Sequence, residues 1–189
     1  NLGMIEDSLN VIAKTGNSNV ALLHCNSTYP AAAKDMNLEA IKTLKKCFNL
    51  PVGLSDHTFG LLVSTVALSI GANIVERHFT MSKTLEGPDH ILSSEPEEMR
   101  QLVEISKTIN DILGDGVKRV KTSEYDTINL QQKSLYALID IEKGQTINKS
   151  MLTVKGPSGG LLPKYINIVE GRKATRDIIA DYPITWKDI

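Results

Sequence analysis

Cysteine and aromatics are scarce in this sequence. Two cysteines, Cys25 and Cys47, in 189 residues cannot build a disulfide framework. With no CxxC pair, zinc-ribbon and dithiol redox sites are excluded as well. Each cysteine sits in an apolar-periodic segment, which predicts a reduced, partly buried thiol in a cytoplasmic protein. A basic excess is also missing. Lys plus Arg is 21 and Asp plus Glu is 22, a net charge of −1, so the electrostatic footprint of a nucleic-acid binder is absent. Long apolar runs are missing too. The best candidate, Leu61 to Val75, is broken by Ser64, Thr65, Ser69, Gly71 and Asn73, too short and too polar for a membrane span. The chain opens on Asn1 instead of Met, with no leader-like stretch. What remains is ordinary: 41% hydrophobic and 23% charged residues, the balance of a globular protein long enough to bury a core.

The first part of the chain alternates helix and strand patterns. Met4, Ile5, Leu9, Ile12 and Ala13 form one helical stripe, ended by the turn around Gly16. Val20 to Leu23, Pro51 to Leu54 and Ala72 to Val75 are short apolar runs, as strands buried on both faces would be. Between them, Asn37 is placed to cap a helix carrying Leu38, Ile41, Leu44 and Phe48, and Phe59 to Ile70 reads as a second helix closed by Gly71. Ser94-Glu95-Pro96-Glu97 has the form of a capping box opening a helix that stops at Gly114. This order predicts an α/β domain with a parallel sheet over residues 1–114.

Residues 115–130 are polar, lack a period and read as a linker. From 131 to 189 the texture is short β-like runs and frequent turns. Within it, residues 137–152 align without gaps to residues 174–189, pairing Ala137 with Ala174, Asp140 with Asp177, Ile141 with Ile178 and Ile147 with Ile184. Each copy has a tight turn, at Lys143-Gly144 and at Ala180-Asp181, so a small pseudo-symmetric, mostly β domain is expected.

All four histidines, His24, His57, His78 and His90, lie at or shortly after the three strand ends, where parallel α/β sheets bind ligands. Imidazoles from neighbouring strand tips can approach one metal ion, and His57 with His78 is the natural pair. Two histidines with oxygen ligands and open positions suit Mn²⁺, Mg²⁺, Co²⁺ or Zn²⁺. The alternative is that each histidine is a satisfied structural residue. Ser27, Thr28, Ser55 and Thr58 are strand-end hydroxyls suited to a phosphate or carboxylate, or to turn formation alone. Asp56 either orients a catalytic group or caps the next helix. Glu76 and Arg77 either pair with each other or serve the site, and Asp89 is presented on a Gly-Pro turn.

The motifs LHCNSTYP (23–30), LPVGLSDHTFG (50–60), IVERHFT (74–80) and GPDH (87–90), followed by SEPEEM, together resemble the sialic acid synthase family. The tail, opening with IEKGQTINKSMLTVK, resembles that family's antifreeze-like (SAF) domain, a β-clip. The resemblance implies the last three strands of a TIM (β/α)8 barrel, then a linker and the SAF domain. It implies condensation of phosphoenolpyruvate with an N-acetylmannosamine-type aldehyde to a nine-carbon 2-keto sugar acid and phosphate. In that reading His57 and His78 are catalytic metal ligands, with Mn²⁺ as the expected ion. Ser27 and Ser55 contact phosphoenolpyruvate, Tyr29 and Asp89 contact the amino sugar, and the protein is a domain-swapped homodimer.

Two departures stand out. A full barrel needs about 250 residues, so the 189 residues are expected to be an inactive piece of a longer protein. Many bacterial members also carry an Arg-Pro-Gly in the small domain. Here the segment is Lys155-Gly156-Pro157-Ser158-Gly159, with Gly156 at the Arg position and Lys155 a poor geometric substitute. Legionaminic and pseudaminic acid synthases are the nearest alternatives, and GPDH favours the sialic and legionaminic side. A metal-dependent lyase or aldolase on the same barrel is another alternative. A non-enzymatic SAF-type binding module is the alternative of a different class, but such a module has no use for histidines at three strand ends.

Overall fold

The computed structural model describes residues 1–189. The chain forms two compact units, Asn1–Val117 and Lys118–Ile189. No helix in either is long and apolar enough to cross a membrane.

The first unit is α/β. Its elements are α1 (Leu2–Ala13), β1 (Leu22–Cys25), α2 (Ala40–Phe48), β2 (Val52–Asp56), α3 (Leu62–Ser69), β3 (Val75–Arg77) and α4 (Pro96–Leu113). The strands form one parallel sheet in the order β1-β2-β3. Leu23 lies opposite Gly53, Cys25 opposite Ser55, Ser55 opposite Glu76 and Asp56 opposite Arg77. Side chains alternate across a strand. Val52 and Leu54 therefore face the helices and bury completely against Ile41, Leu44, Val63 and Ala67, while Gly53, Ser55, Cys25 and Glu76 share the opposite face.

Each predicted strand and helix of this unit exists, with shifted ends. Asn37 does not cap α2. It takes a left-handed φ of 42°, a conformation asparagine tolerates, and its carbonyl accepts from Ala40 in a preceding turn. The helix at 59–70 begins only at Leu62, because Gly60 turns the chain at φ 69°. The third strand starts at Val75, not Ala72. Asn73 hydrogen-bonds Val52 through its backbone N–H, 2.8 Å, and its side-chain oxygen accepts the Val52 N–H at 3.3 Å. The box before α4 falls one residue late: the Glu95 N–H donates to Glu98 at 3.0 Å, with Pro96 opening the helix. Ser94 does not cap the helix; its hydroxyl accepts from Arg77. Both cysteines are exposed, not partly buried.

The second unit contains α5 (Tyr125–Gln131), β4 (Ser134–Ala137), β5 (Leu152–Lys155) and α6 (Ile166–Val169). The linker expected over 115–130 thus includes a 3-10 turn at Thr122–Glu124 and most of α5. The Lys121 N–H donates to Glu124 at 2.8 Å and starts that turn, but no residue of α5 is buried.

The internal repeat is built as a local dyad through Ile141 and Ile178, whose backbones exchange two hydrogen bonds of 2.8 Å. Related bonds recur on both sides. Gly144 donates to Ala174 at 2.7 Å and Asp181 to Ala137 at 2.8 Å; Ile147 donates to Arg172 at 2.8 Å and Ile184 to Leu135 at 2.9 Å. Asp177 accepts the Lys143 N–H at 2.7 Å, and Asp140 accepts the Ala180 N–H at 2.6 Å. The two turns match as well, with Gly144 at φ 83° and Asp181 at φ 70°. The core consists largely of dyad mates: Ala137 with Ala174, Ile141 with Ile178, Ile147 with Ile184.

Candidate active site

In parallel β2 and β3 the pleat sends Ser55 and Glu76 to the face opposite the helices, and each strand then delivers a histidine one step past the ladder. The Ser55 hydroxyl donates to Glu76 Oε1 at 2.7 Å. His57 and His78 follow, with ring centroids 5.2 Å apart. Tyr29, from the loop after β1, lies 4.1 Å from the His57 ring and 5.6 Å from that of His78. Ser55, His57, Glu76, Arg77 and His78 line a cavity of about 190 Å³.

His57 is buried, and its Nδ1 lies 2.9 Å from the Asn26 carbonyl. A carbonyl only accepts, so Nδ1 carries the proton of the neutral ring and Nε2 keeps its lone pair. This is the arrangement of a histidine ready to ligate through Nε2 with its other nitrogen held by the backbone. The His57 backbone is held by Ala31, whose N–H donates to the His57 carbonyl at 3.0 Å. His78 is about one-third exposed, with Nδ1 3.9 Å from Asp89 Oδ2, and its carbonyl accepts the Ser94 N–H at 2.7 Å. No three His, Cys, Asp or Glu side chains are grouped to hold a metal. The donor set is two imidazoles, which fits part of a shell whose other positions are left to oxygen donors.

The sequence candidates separate into two groups. Tyr29, Ser55, His57 and His78 come together, with Asp89 at their edge. Ser27 touches the group through Cys25, whose sulfur is 3.7 Å from the Ser27 hydroxyl and 3.8 Å from His57 Nδ1. Of the four strand-end histidines, the natural pair His57 and His78 comes together. His24 lies opposite Leu54, on the helix-facing side, with Nε2 2.6 Å from the Met36 carbonyl. His90 is held 2.8 Å from the Thr80 hydroxyl. Glu76 and Arg77 are not a pair: Glu76 turns to Ser55, while Arg77 turns to the other face and bonds Asp56. Cys25 and Glu76 carried no decisive signal by themselves; strand register is what puts them in line with Ser55.

The loop that presents Asp89 is pinned to the start of α4. The Lys83 N–H donates to Glu95 at 2.9 Å and its ammonium to Glu98 at 2.5 Å. The Lys83 hydrogen bond, reinforced by the Glu95 N–H, holds the Glu98 carboxyl below its ordinary pKa. In the second unit, Gly156 contributes no side chain, and Lys155 is already engaged: it pairs with Asp181 and lies 4.9 Å from the Tyr136 ring centroid.

The profile of the NeuB family matches residues 1–118, and that of the SAF domain matches residues 132–189. The chain belongs to the NeuB family. Among its relatives, an N,N'-diacetyllegionaminic acid synthase of Campylobacter jejuni is 42% identical over 183 residues, covering 96% of this chain and 55% of the relative. A pseudaminic acid synthase of the same species is 39% identical over 163 residues, covering 86% and 47%. The crystal structure of the N-acetylneuraminic acid synthetase of Leptospira borgpetersenii superposes with a TM-score of 0.59 at 38% identity, over 68% of this chain and 45% of that one. The chain spans about half the length of the curated relatives it matches.

Proposed function

We propose that the whole protein is a sialic-acid-type synthase. It joins C3 of phosphoenolpyruvate to the aldehyde carbon of an N-acetylmannosamine-type sugar, adds water at C2 and releases phosphate by C–O cleavage, leaving a nine-carbon 2-keto sugar acid. The observation that carries this reading is the pair of imidazoles 5.2 Å apart, with Tyr29 against both rings and a Ser55–Glu76 hydrogen bond beside them. In this reading the three parallel strands are the last three of a TIM barrel, and the second unit is a β-clip SAF domain that covers the barrel mouth of a partner in a homodimer. Two unpaired cysteines agree with a cytoplasmic setting.

His57 and His78 would hold a divalent cation, Mn²⁺ by preference. Such an ion supplies Lewis-acid polarisation of the sugar aldehyde. The chain's own groups do the rest. Asn26 fixes the His57 tautomer so that Nε2 faces ligation without a proton. Ser27 and Ser55 offer hydroxyls to phosphoenolpyruvate. Glu76 holds the Ser55 proton, which leaves the Ser55 oxygen free to accept. Tyr29 and Asp89 meet the amino sugar, Tyr29 as a face for its apolar edge and Asp89 as an acceptor for its hydroxyls.

A legionaminic-type substrate is the second reading, supported by the 42% identity to a legionaminic acid synthase over 96% of this chain. Gly156 lacks a side chain and Lys155 is tied to Asp181, so neither offers a free cation to the sugar's acyl group. The test is phosphate release from phosphoenolpyruvate by the intact gene product, with a panel of 2-acetamido and 2,4-diacetamido aldoses and Mn²⁺. Release with at least one is expected, and its loss in His57→Ala and His78→Ala. No release with any of them would overturn the proposal.

A further inference from the structure

We propose that Asp56 and Arg77 are positioning residues that set the spacing of the His57 and His78 imidazoles. This rests on reading those imidazoles as cation ligands. The two residues are register partners at the last rung of the β2–β3 ladder, and each immediately precedes its histidine. Beyond that rung the two strand ends no longer pair. His57 is bonded toward Ala31 and His78 toward Ser94, on different sides.

The Arg77 guanidinium closes this gap. One terminal nitrogen donates to Asp56 Oδ2 and, at 3.1 Å, to the Ser64 hydroxyl. The other donates to the Thr58 carbonyl at 2.9 Å. Asp56 and Thr58 flank His57, so the residue before His78 grips the chain on both sides of His57. The Arg77 Nε–H donates at 2.8 Å to Ser94, the residue whose N–H holds the His78 carbonyl. Asp56 is fully engaged in turn: Oδ1 accepts the Thr58 N–H at 2.9 Å and hydroxyl at 2.8 Å, and Oδ2 accepts Ser64 at 2.5 Å besides Arg77.

Both side chains are almost wholly buried, 2% and 0% exposed. Apolar residues of the same volume commonly serve stability as well as a buried ion pair does. What they lack is direction. A planar fork reaching four neighbours at fixed angles fixes one strand end against the other, and a lysine cannot copy it.

Mn²⁺ binding by the intact gene product tests this, measured by calorimetry and by loss of the free-ion electron paramagnetic resonance signal, with circular dichroism reporting the fold. Arg77→Lys keeps the charge and removes the fork. Asp56→Asn with Arg77→Gln removes both charges together, so that neither is left buried alone. Ser94→Ala deletes one acceptor of the fork and touches neither charge. Outer-shell changes of this kind typically weaken metal binding roughly 10- to 100-fold. That loss is expected in the first two variants at unchanged dichroism, and a smaller one in Ser94→Ala. A purely structural pair would lower thermal stability and leave the Mn²⁺ affinity of the folded protein alone. Unchanged affinity in any folded variant overturns the inference. Wild-type binding that is absent, or that survives both His57→Ala and His78→Ala, overturns the ligand reading itself and this inference with it.

Discussion

Gly53→Ala is the sharpest test of how the sheet carries the site. Gly53 sits in the middle strand, between Leu23 of β1 and the start of β3. A Cβ at this position would lie 2.3 Å from the Ile74 carbonyl oxygen, 2.7 Å from the Ile74 Cβ and 2.8 Å from Leu23 Cδ2. The leucine can rotate away. The carbonyl cannot, because it accepts the Leu54 N–H at 2.9 Å, one of the bonds tying β2 to β3. Relief therefore means opening the β2–β3 seam or leaving the overlap in place. Overpacking typically costs 1–3 kcal/mol, and a clash against backbone belongs at the upper end, about 3 kcal/mol. That is a factor of about 150 in the folding equilibrium and a fall in Tm of about 10 °C for a unit of this size. The four long helices of the first unit dominate far-UV dichroism, whereas Trp186, the single tryptophan, reports the second unit. In this chain the dichroism transition should fall and the tryptophan transition should stay. A dichroism midpoint within about 2 °C of wild type would show that β2 and β3 tolerate the extra methyl, and the close-approach argument would be refuted.

Two further outcomes concern the second unit. Asp188 is buried; desolvation alone would raise its pKa. The Thr185 hydroxyl and N–H and the Arg176 guanidinium outweigh that and hold it below the ordinary carboxylate value. A depressed carboxyl adds stability above its unfolded pKa and loses it as pH falls through the folded one. Thermal melts followed by Trp186 from about pH 6 to about pH 3 should therefore fall more steeply in wild type than in Asp188→Asn; parallel slopes would contradict this. The dyad makes the other prediction. Asp140 and Asp177 each accept one N–H across the axis, at 2.6 and 2.7 Å. Asp140→Ala and Asp177→Ala should each cost about 1 kcal/mol by urea titration, and values several-fold apart would mean the two halves do not share the load alike.

The element types were legible wherever hydrophobic period and turn residues agreed: three apolar runs became the strands, and the gapless repeat became the dyad. The errors have local causes. Asn37 and Gly60 turn the chain where a helix was expected to begin. Ser94 bonds Arg77 instead of the helix start, and the cap is Glu95. The site was half legible. His57 and His78 stood out as strand-end imidazoles, but so did His24 and His90, and proximity to a strand end carries no information about which face a side chain takes. His24 differs from Cys25 by one residue and lies on the other side of the sheet.

That parity explains the site as a whole. Ser55-Asp56-His57 and Glu76-Arg77-His78 are two triplets of one design, aligned rung for rung through Ser55–Glu76 and Asp56–Arg77. The first and third positions of each triplet line the cavity, where Arg77 also contributes to the wall, and the middle positions meet as a buried Asp56–Arg77 pair. A contiguous motif thus serves two faces with opposite needs. The cavity side needs donors and lone pairs left available for a ligand; the helix side needs every polar atom satisfied, because a lone buried charge is costly. Moving either strand by one residue would bury an imidazole among the helices and turn Asp56 or Arg77 into the cavity without its partner. The buried pair therefore penalises the wrong register, and the sequence spacing that made the motif recognisable is the spacing that keeps the imidazoles facing each other.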